Sequence, residues 1–175
     1  MDLKNHIRSI PDYPKKGILF RDITTLIKDK KAFKYTIDTI AEKIKGLNFE
    51  KIVAIESRGF IFAAPVAYKL SKSLILIRKK NKLPADTFSE DFELEYGKAT
   101  IEIHKDSIIK NEKVVVIDDL IATGGTAKAA AKLVEKSGGK VESFLFVINL
   151  FDLGGKDLLE RESYKALALI NFPGH

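Results

Sequence analysis

The stretch from Val114 to Thr126 constrains the fold of this chain more than any other. It opens with consecutive apolar residues of high strand propensity, 114–117, which predict a buried strand. Asp118 and Asp119 follow at the end of that strand, and a loop of small residues comes next. Beyond the loop, apolar residues recur at the spacing of one helix face, at Ala127, Ala130, Ala131 and Val134. The pattern predicts a strand, a tight loop and a helix of an α/β protein.

The loop between this strand and this helix has the features of a phosphate site. A glycine-containing loop that opens a helix exposes backbone N–H groups at the positive end of the helix dipole. Ligands of open α/β sheets bind beside the carboxyl ends of the strands, where Asp118 and Asp119 would lie. Neither the G-x-x-x-x-G-K-[ST] nor the G-x-G-x-x-G pattern is present. The alternative is an ordinary βα turn, but two adjacent carboxylates repel each other there without a ligand.

Length and composition limit the classes of protein to consider. The chain has 175 residues, 45% hydrophobic and 31% charged, which predicts one domain with a full core. It contains no cysteine, which excludes disulfides and thiolate chemistry. With no signal peptide at residues 1–10 and no run of ~18 apolar residues, we expect a cytoplasmic location. The net charge of +6 is spread along the chain, so we expect neither a nucleic-acid nor a membrane partner.

Hydrophobic periodicity places strands and helices in alternation. Strands are predicted at 51–55, 73–77, 114–117, 141–148 and 164–170, and helices at 32–47, from the turn at 56–59 to about 70, and after the glycine loop. This alternation predicts a mostly parallel, twisted sheet flanked by helices. Residues 10–26, which contain Pro11, Pro14 and Gly17, are predicted to be largely irregular up to a short strand or turn near Phe20. Residues 88–104 alternate between polar and apolar side chains, as in a hairpin or flap.

Basic residues follow two other predicted strands. Arg58, in a strand-to-helix turn, offers a planar fork suited to phosphate oxygens, and the alternative is an exposed arginine at a helix start. The run from Arg78 to Lys82 would be a solvated face in most proteins. Because its strand should end at the same edge of the sheet, a polyanionic ligand is the favoured interpretation.

The flap and the histidines are less informative. Glu95 lies in the flap, where a carboxylate can close over a site and handle a proton, or belong to an ordinary hairpin turn. The histidines show neither metal-ligand spacing nor a triad-like pattern, at His6, His104 and His175.

Together these segments resemble the type I phosphoribosyltransferases, and most closely the branch of that family that acts on adenine. The matching segments run nearly from end to end, at 10–14, 17–23, 56–60, 77–79, 82–84, 94–97, 118–126, 149–155 and 172–175. The sequence departs from the family pattern with Glu56, where many members have aspartate, and with Ile121, where many have leucine. Neither departure alters the expected chemistry.

The resemblance implies one phosphoribosyltransferase domain over 1–175. In it, residues 1–30 and the C-terminal segment form a hood over the base, and residues 86–104 form a flexible flap. The implied activity is purine salvage: transfer of the 5-phosphoribosyl group from phosphoribosyl diphosphate to adenine, giving AMP and diphosphate. The family also implies a homodimer, and Mg²⁺ held mainly through substrate oxygens without direct protein ligands.

The same resemblance implies how the base is bound. Phe20 and Leu150 are expected to enclose the adenine, which gains most from an apolar sandwich. The backbone from Leu19 to Arg21 is expected to read the edge of the base.

The remaining roles implied by the resemblance concern the phosphoribosyl group. Asp118 and Asp119 are expected to be catalytic at the ribose. Glu95 is expected to be catalytic as the flap group that handles a proton on the purine. The residues expected to bind the 5′-phosphate are Ala122, Thr123, Gly124, Gly125 and Thr126. Those expected to bind the diphosphate are Arg58, Arg78, Lys79, Lys82 and Tyr96.

Two rival functions stay open at this point. A sister enzyme that acts on hypoxanthine or xanthine would share the phosphate loop but would need a donor for a 6-oxo group, and a substrate panel separates the two. A regulator of the same fold would bind phosphoribosyl diphosphate and control transcription or RNA. Such regulators often carry a DNA-binding domain, for which this chain has no room, and a mobility-shift assay tests for one.

Overall fold

The computed structural model describes residues 1–94 and 97–175. The strands are β1 (Arg8–Pro11), β2 (Leu19–Asp22), β3 (Lys51–Ile55), β4 (Ser73–Lys79), β5 (Thr87–Glu93), β6 (Lys98–His104), β7 (Lys113–Ile121), β8 (Lys140–Leu150) and β9 (Ala166–Phe172). The α-helices are α1 (Thr24–Lys28), α2 (Lys30–Ile44), α3 (Arg58–Lys69), α4 (Gly125–Lys136) and α5 (Gly155–Arg161). Short 3-10 turns lie at Leu3–His6 and Phe151–Leu153.

The central sheet has the strand order β5-β6-β4-β3-β7-β8-β9. The five strands from β4 to β9 in this order pair in parallel, and the hairpin β5–β6 joins the β4 edge antiparallel. The predicted fold class, a mostly parallel sheet flanked by helices, is confirmed. Within the residues that the structure describes, no helix is long and apolar enough to cross a membrane.

Alternation along the buried strands divides the core into two layers. Ile52 and Ala54 of β3 pack with the side of the sheet that α2 and α3 cover. Val53 and Ile55 pack with α4, α5 and the β5–β6 hairpin on the other side. Because successive side chains of a strand point to opposite faces, a strand buried on both sides needs a continuous apolar run. The apolar runs that predicted the strands therefore also form the two core layers.

The N-terminal region contains more regular structure than the sequence predicted. β1 and β2 form a separate antiparallel sheet in which Ile10 lies opposite Phe20 and Pro11 opposite Leu19. The predicted short strand near Phe20 is present, but β1 and the helix α1 were not expected. Both strands of a two-stranded sheet are edge strands, where proline is tolerated, and Pro11 is the last residue of β1.

Two further expectations concern strand ends. The hairpin predicted within 88–104 is present as β5 and β6, with Glu93 opposite Lys98. The sequence predicted that the strand ends at 117 and that Asp118 and Asp119 follow it. In the structure β7 continues to Ile121, so both aspartates lie within its last residues. The reason is pairing with β8, in which Leu120 and Ile121 lie beside Ile148 and Asn149.

Candidate active site

A cavity of about 400 Å³ opens at the carboxyl ends of β3, β4 and β7. It is lined by Glu56, Ser57, Arg58, Lys79, Phe146 and the segment 118–127. This is the edge of the sheet at which ligands of open α/β proteins bind. The turns after β3 and β7 and the last residue of β4 therefore meet at one site.

The loop from Ala122 to Gly124 turns the chain from β7 into α4. Gly124 has φ 89°, a left-handed conformation that favours glycine, and α4 begins at Gly125. The N–H groups of the first turn of a helix have no intrahelical acceptors, so this turn presents donors to the cavity at the positive end of the helix dipole. The arrangement suits a phosphate dianion.

A second glycine pair supports this loop from behind. The N–H of Gly155 donates to the carbonyl of Ala122 at 2.9 Å. A Cβ on Gly155 would lie 2.7 Å from the nitrogen of Gly124, closer than side-chain carbons approach backbone. The phosphate loop therefore rests on Gly155 at the start of α5. The sequence analysis missed this role, although residues 149–155 are among the segments that resemble the family.

The two carboxylates at the end of β7 line the cavity in an environment that disfavours two negative charges. Burial, and next the neighbouring charge of Asp119, raise the pKa of Asp118 well above its usual range. Burial also raises the pKa of Asp119, although the Arg58 guanidinium acts in the opposite direction. The N–H of Asp119 donates to Oδ1 of Asp118 at 2.8 Å. A cationic ligand or transition state beside the pair would relieve their repulsion.

Arg58, the first residue of α3, lies between the acidic pair and the hood. Its Nε is 2.9 Å from Oδ2 of Asp119. No described residue donates a well-aligned hydrogen bond to that oxygen, so the contact is an ion pair by proximity. The guanidinium carbon is also 5.3 Å from the centroid of the Phe20 ring, within the range of a cation–π contact.

Among the basic residues from Arg78 to Lys82, the first two of which belong to β4, only Lys79 is found in the described lining of the cavity. Arg78 pairs instead with Glu56, whose Oε2 is 3.3 Å from its Nε, and it donates to the Lys82 carbonyl at 3.5 Å. Alternation along β4 turns neighbouring side chains to opposite faces, which separates Arg78 from Lys79. Lys82 is exposed.

Glu56 holds the end of β4 in place. Its Oε2 accepts the backbone N–H of Lys79 at 2.7 Å as well as the Arg78 contact. Burial tends to raise the pKa of Glu56, but these hydrogen bonds outweigh it and leave the pKa lower than usual. The sequence analysis treated Glu56 as a minor departure from the family pattern, because nothing in the sequence shows that its side chain reaches β4.

None of the residues expected around the base is in the described lining of this cavity, and Phe20 approaches it through its contact with Arg58. Phe20 is half-buried, and its ring meets the edge of Tyr13 at a centroid distance of 5.1 Å. Leu150 is 7% exposed at the end of β8, and Leu19 is half-buried in β2. The Arg21 side chain is buried against the C-terminal segment.

The flap contacts the phosphate loop. A Cβ on Gly125 would lie 3.5 Å from the carbonyl oxygen of Glu93, the last residue of β5. Glu95 and Tyr96, expected in catalysis and diphosphate binding, lie outside the described residues.

Known proteins resemble this chain over most of its length. The model of the phosphoribosyl transferase domain family matches residues 24–168. The chain is 66% identical over 175 residues to the adenine phosphoribosyltransferase of Pelagibacter ubique, with all of both chains covered. The chain belongs to the phosphoribosyltransferase family.

Two solved adenine phosphoribosyltransferases share the fold over almost the whole chain. That of Thermoanaerobacter pseudethanolicus superimposes with a TM-score of 0.93 at 48% identity and covers 98% of each chain. That of Saccharomyces cerevisiae, complexed with an imino-altritol bisphosphate and adenine, gives a TM-score of 0.89 at 34% identity and covers 97% of each chain. The resemblance predicted from the sequence, to the adenine branch of the phosphoribosyltransferases, is confirmed.

The features of this cavity that bear on Mg²⁺ binding are its carboxylates. Over residues 1–94 and 97–175, no three His, Asp or Glu side chains converge as they do in a protein-only metal site. The cavity does present the carboxylates of Asp118 and Asp119 beside the phosphate loop. Mg²⁺ commonly binds through one or two carboxylates and substrate phosphates while keeping several waters. The residues fit a metal that arrives with a polyphosphate substrate.

Proposed function

We propose that the chain transfers the 5-phosphoribosyl group of 5-phospho-α-D-ribose 1-diphosphate to adenine, giving AMP and diphosphate in purine salvage. The observation that carries this function is the phosphate loop at the start of α4, with an acidic pair beside it at the same sheet edge. The relatives named above are adenine phosphoribosyltransferases, and the yeast enzyme was solved with adenine and a sugar-like bisphosphate.

The segment from Ala122 to Thr126 holds the 5′-phosphate of the substrate in this proposal. The support is the left-handed Gly124 and the free N–H groups of the first turn of α4. This end of the substrate is retained in AMP, so the same loop binds substrate and product.

The acidic pair stabilises charge at the reacting carbon. N9 of adenine forms a bond to C1′ of the ribose as the bond from C1′ to the diphosphate oxygen breaks, and the diphosphate leaves with the electron pair. Positive charge develops on the ribose between these events. Asp118 and Asp119 hold the ribose hydroxyls and supply negative potential where that charge appears. N9 loses its proton as it bonds to C1′, and Glu95 is proposed to receive that proton.

Cationic groups take the charge of the departing diphosphate. Arg58 and Lys79 line the cavity, and Arg78, Lys82 and Tyr96 complete the proposed diphosphate-binding set. Mg²⁺, when bound with the substrate, adds Lewis-acid stabilisation of the leaving oxygens. The flap hairpin excludes water that would otherwise hydrolyse the activated sugar.

Phe20 and Leu150 enclose the adenine, and the backbone from Leu19 to Arg21 reads its edge. The Arg58–Phe20 contact supports this placement, because it joins the base platform to the phosphoribosyl cavity. Adenine offers an amino donor where hypoxanthine offers a carbonyl acceptor, so a fixed backbone edge discriminates between them.

The assembly proposed for this enzyme is a homodimer of 175-residue, single-domain chains. Exposed apolar side chains on adjacent elements support a dimer face: Tyr68 of α3 is 90% exposed, and Leu74 and Leu76 of β4 are 37% and 36% exposed. Sedimentation at micromolar concentration tests for the dimer. The cytoplasmic location stays a prediction from the sequence.

The deciding experiment is AMP formation from adenine and phosphoribosyl diphosphate with Mg²⁺. We expect kcat/KM for adenine to exceed that for hypoxanthine or guanine at least about tenfold, because a mispaired buried polar group costs ~1–3 kcal/mol. Equal use of hypoxanthine would reject adenine as the preferred base. Absence of all three products would reject the transferase activity.

A further inference from the structure

The side chain of Arg21 has no place in the chemistry described above, yet it is buried at the edge of the base site. Arg21 follows Phe20 in β2, and neighbouring side chains of a strand point to opposite faces. Phe20 approaches Arg58 at the cavity, whereas Arg21 is 6% exposed and packs against the end of the chain. β2 therefore directs the Phe20 side chain toward the cavity and the Arg21 side chain toward the C-terminal segment.

Arg21 joins three segments that are distant in sequence. Its Nη1 donates to Oγ of Ser9, its cross-strand neighbour in β1. Its Nη2 donates to the carbonyl of Pro173 at 2.7 Å, and its guanidinium carbon is 4.4 Å from the centroid of the Phe172 ring. One side chain thus ties both strands of the N-terminal sheet to the C-terminal segment.

Asp152 closes this link from the other side. Its Oδ1 accepts the N–H of Gly174 at 2.6 Å, and its charge favours the protonated form of Arg21. β9 ends at Phe172, whose partner in β8 is Leu150. The segment that Arg21 holds is therefore anchored beside Leu150, the residue proposed to lie across the adenine from Phe20.

Stability alone does not explain a guanidinium at this position. Burial lowers the pKa of Arg21, which shows that the surroundings disfavour its charge. Its Nε has no hydrogen-bond acceptor among the described residues. A buried charge with an unpaired donor is costly, and an apolar side chain of similar size would pack the same interface without that cost.

We infer that Arg21 is a positioning residue that sets the separation between Phe20 and Leu150, and through it the affinity for the adenine ring. The inference rests on the proposed function. Arg21 acts on the base through the C-terminal segment and β8, and its side chain contacts neither the ribose nor the diphosphate.

Steady-state kinetics of the full chain test this role with three variants. Arg21→Met removes the charge and both hydrogen bonds at similar volume, and we expect KM for adenine to rise about tenfold. KM for phosphoribosyl diphosphate should stay within about twofold, since the phosphate loop and Arg58 lie on other elements. Arg21→Lys should recover part of the adenine affinity, because it keeps the charge near Phe172.

Arg8→Met is the matched control. Arg8 lies in β1 of the same small sheet. Its Nη2 is 2.5 Å from Oδ2 of Asp22, and its backbone N–H donates to Oγ1 of Thr25 in α1. It should lower the melting temperature and leave KM for adenine unchanged. An adenine KM that rises equally in Arg8→Met and Arg21→Met would show that the sheet needs only general stability, and would overturn the inference.

Two further outcomes keep the inference separate from the proposed function. If Arg21→Met does not fold, Phe172→Leu removes the ring that Arg21 contacts and carries the same expectation for adenine. If wild-type protein forms AMP but the Arg21 and Phe172 variants keep a normal adenine KM, the inference is wrong and the function stands. If wild-type protein forms no AMP, the proposed function itself fails.

Discussion

Arg58 and Asp119 form an ion pair across the cavity, with Nε of the arginine 2.9 Å from Oδ2 of the aspartate. β3 and β7 are neighbouring parallel strands. Arg58 begins α3, which follows β3, and Asp119 lies near the end of β7. In this arrangement the cation proposed to meet the diphosphate neutralises a carboxylate proposed to face the ribose.

Arg58→Ala should weaken phosphoribosyl diphosphate binding much more than AMP binding, because AMP lacks the leaving group. Losing one charge-assisted contact costs ~1.5–3 kcal/mol, or about ten- to a hundredfold in the dissociation constant. Calorimetric titration of both ligands measures the difference. Gly125→Val is the contrasting variant. Its Cβ would meet only ordinary contacts at 3.5 Å and beyond, so the fold should survive. It should weaken both ligands alike, because both carry the 5′-phosphate proposed to bind this loop. Equal losses in Arg58→Ala would assign Arg58 to the ribose-phosphate end.

Asp118→Asn should stabilise the unliganded protein at pH 8. Because the pKa of Asp118 is raised in the folded state, its stabilising contribution is present below the usual aspartate pKa of about 4 and is lost as pH rises toward the raised value. The asparagine removes that loss, so the melting temperature should rise at pH 8, by about 2–4 °C for each kcal/mol, and stay unchanged near pH 4. Scanning calorimetry at the two pH values measures this.

The same variant should lose activity. Asp118→Asn removes a negative charge near the forming cation, and we expect kcat to fall about a hundredfold. Asp119→Asn should also lower kcat, and it leaves Arg58 without its ion-pair partner. Near-normal turnover in both variants would show that the carboxylates are structural.

Gly155→Ala should damage the phosphate site without touching a ligand. The added methyl would meet the carbonyl of Ala122 and the nitrogen of Gly124, so the loop must shift, at a cost of about 1–3 kcal/mol. We expect a lower melting temperature together with weaker AMP binding. Gly46→Ala is the control, since a Cβ there has nothing within 4 Å, and it should leave AMP binding unchanged without lowering the melting temperature. Unchanged AMP affinity in Gly155→Ala would show that the loop does not depend on α5.

Glu56→Gln should raise KM for phosphoribosyl diphosphate and leave KM for adenine unchanged. The amide oxygen can still accept the Lys79 N–H, but the charge that holds Arg78 is gone. An increase of about three- to tenfold corresponds to one weakened charged contact. Initial-rate kinetics with each substrate varied in turn provide the measurement, and an equal rise in the adenine KM would contradict a role at the diphosphate end.

The sequence predicted those parts of the fold whose signal is local. Apolar runs located β3, β7 and β8, and helical spacing located the buried face of α4 at Ala127, Ala130, Ala131 and Val134. The strand β1, which pairs with the predicted strand near Phe20, was missed because Pro11, Pro14 and Gly17 are typical of irregular chain, whereas the small sheet is stabilised by long-range contacts such as Arg8 with Asp22.

The site follows the same division. The sequence located the glycine loop and the acidic pair at one sheet edge because their residues are contiguous, and the phosphate-binding role of the loop stays a prediction. The support from Gly155, the Glu56 contacts with β4 and the burial of Arg21 join residues far apart in sequence, and no local pattern encodes them. The roles assigned to Glu95 and Tyr96, like the other ligand contacts, stay predictions.

Gly59 limits which residues the site can accept at the start of α3. A Cβ at this position would lie 2.9 Å from both Oδ1 of Asp118 and the carbonyl oxygen of Ile117. The first turn of α3 and the end of β7 therefore touch through a gap that admits only a hydrogen atom. A side chain at position 59 would force the start of α3, which carries Arg58, and the end of β7, which carries the acidic pair, to shift relative to each other. Selection should leave this glycine unvaried even where the surrounding surface diverges freely.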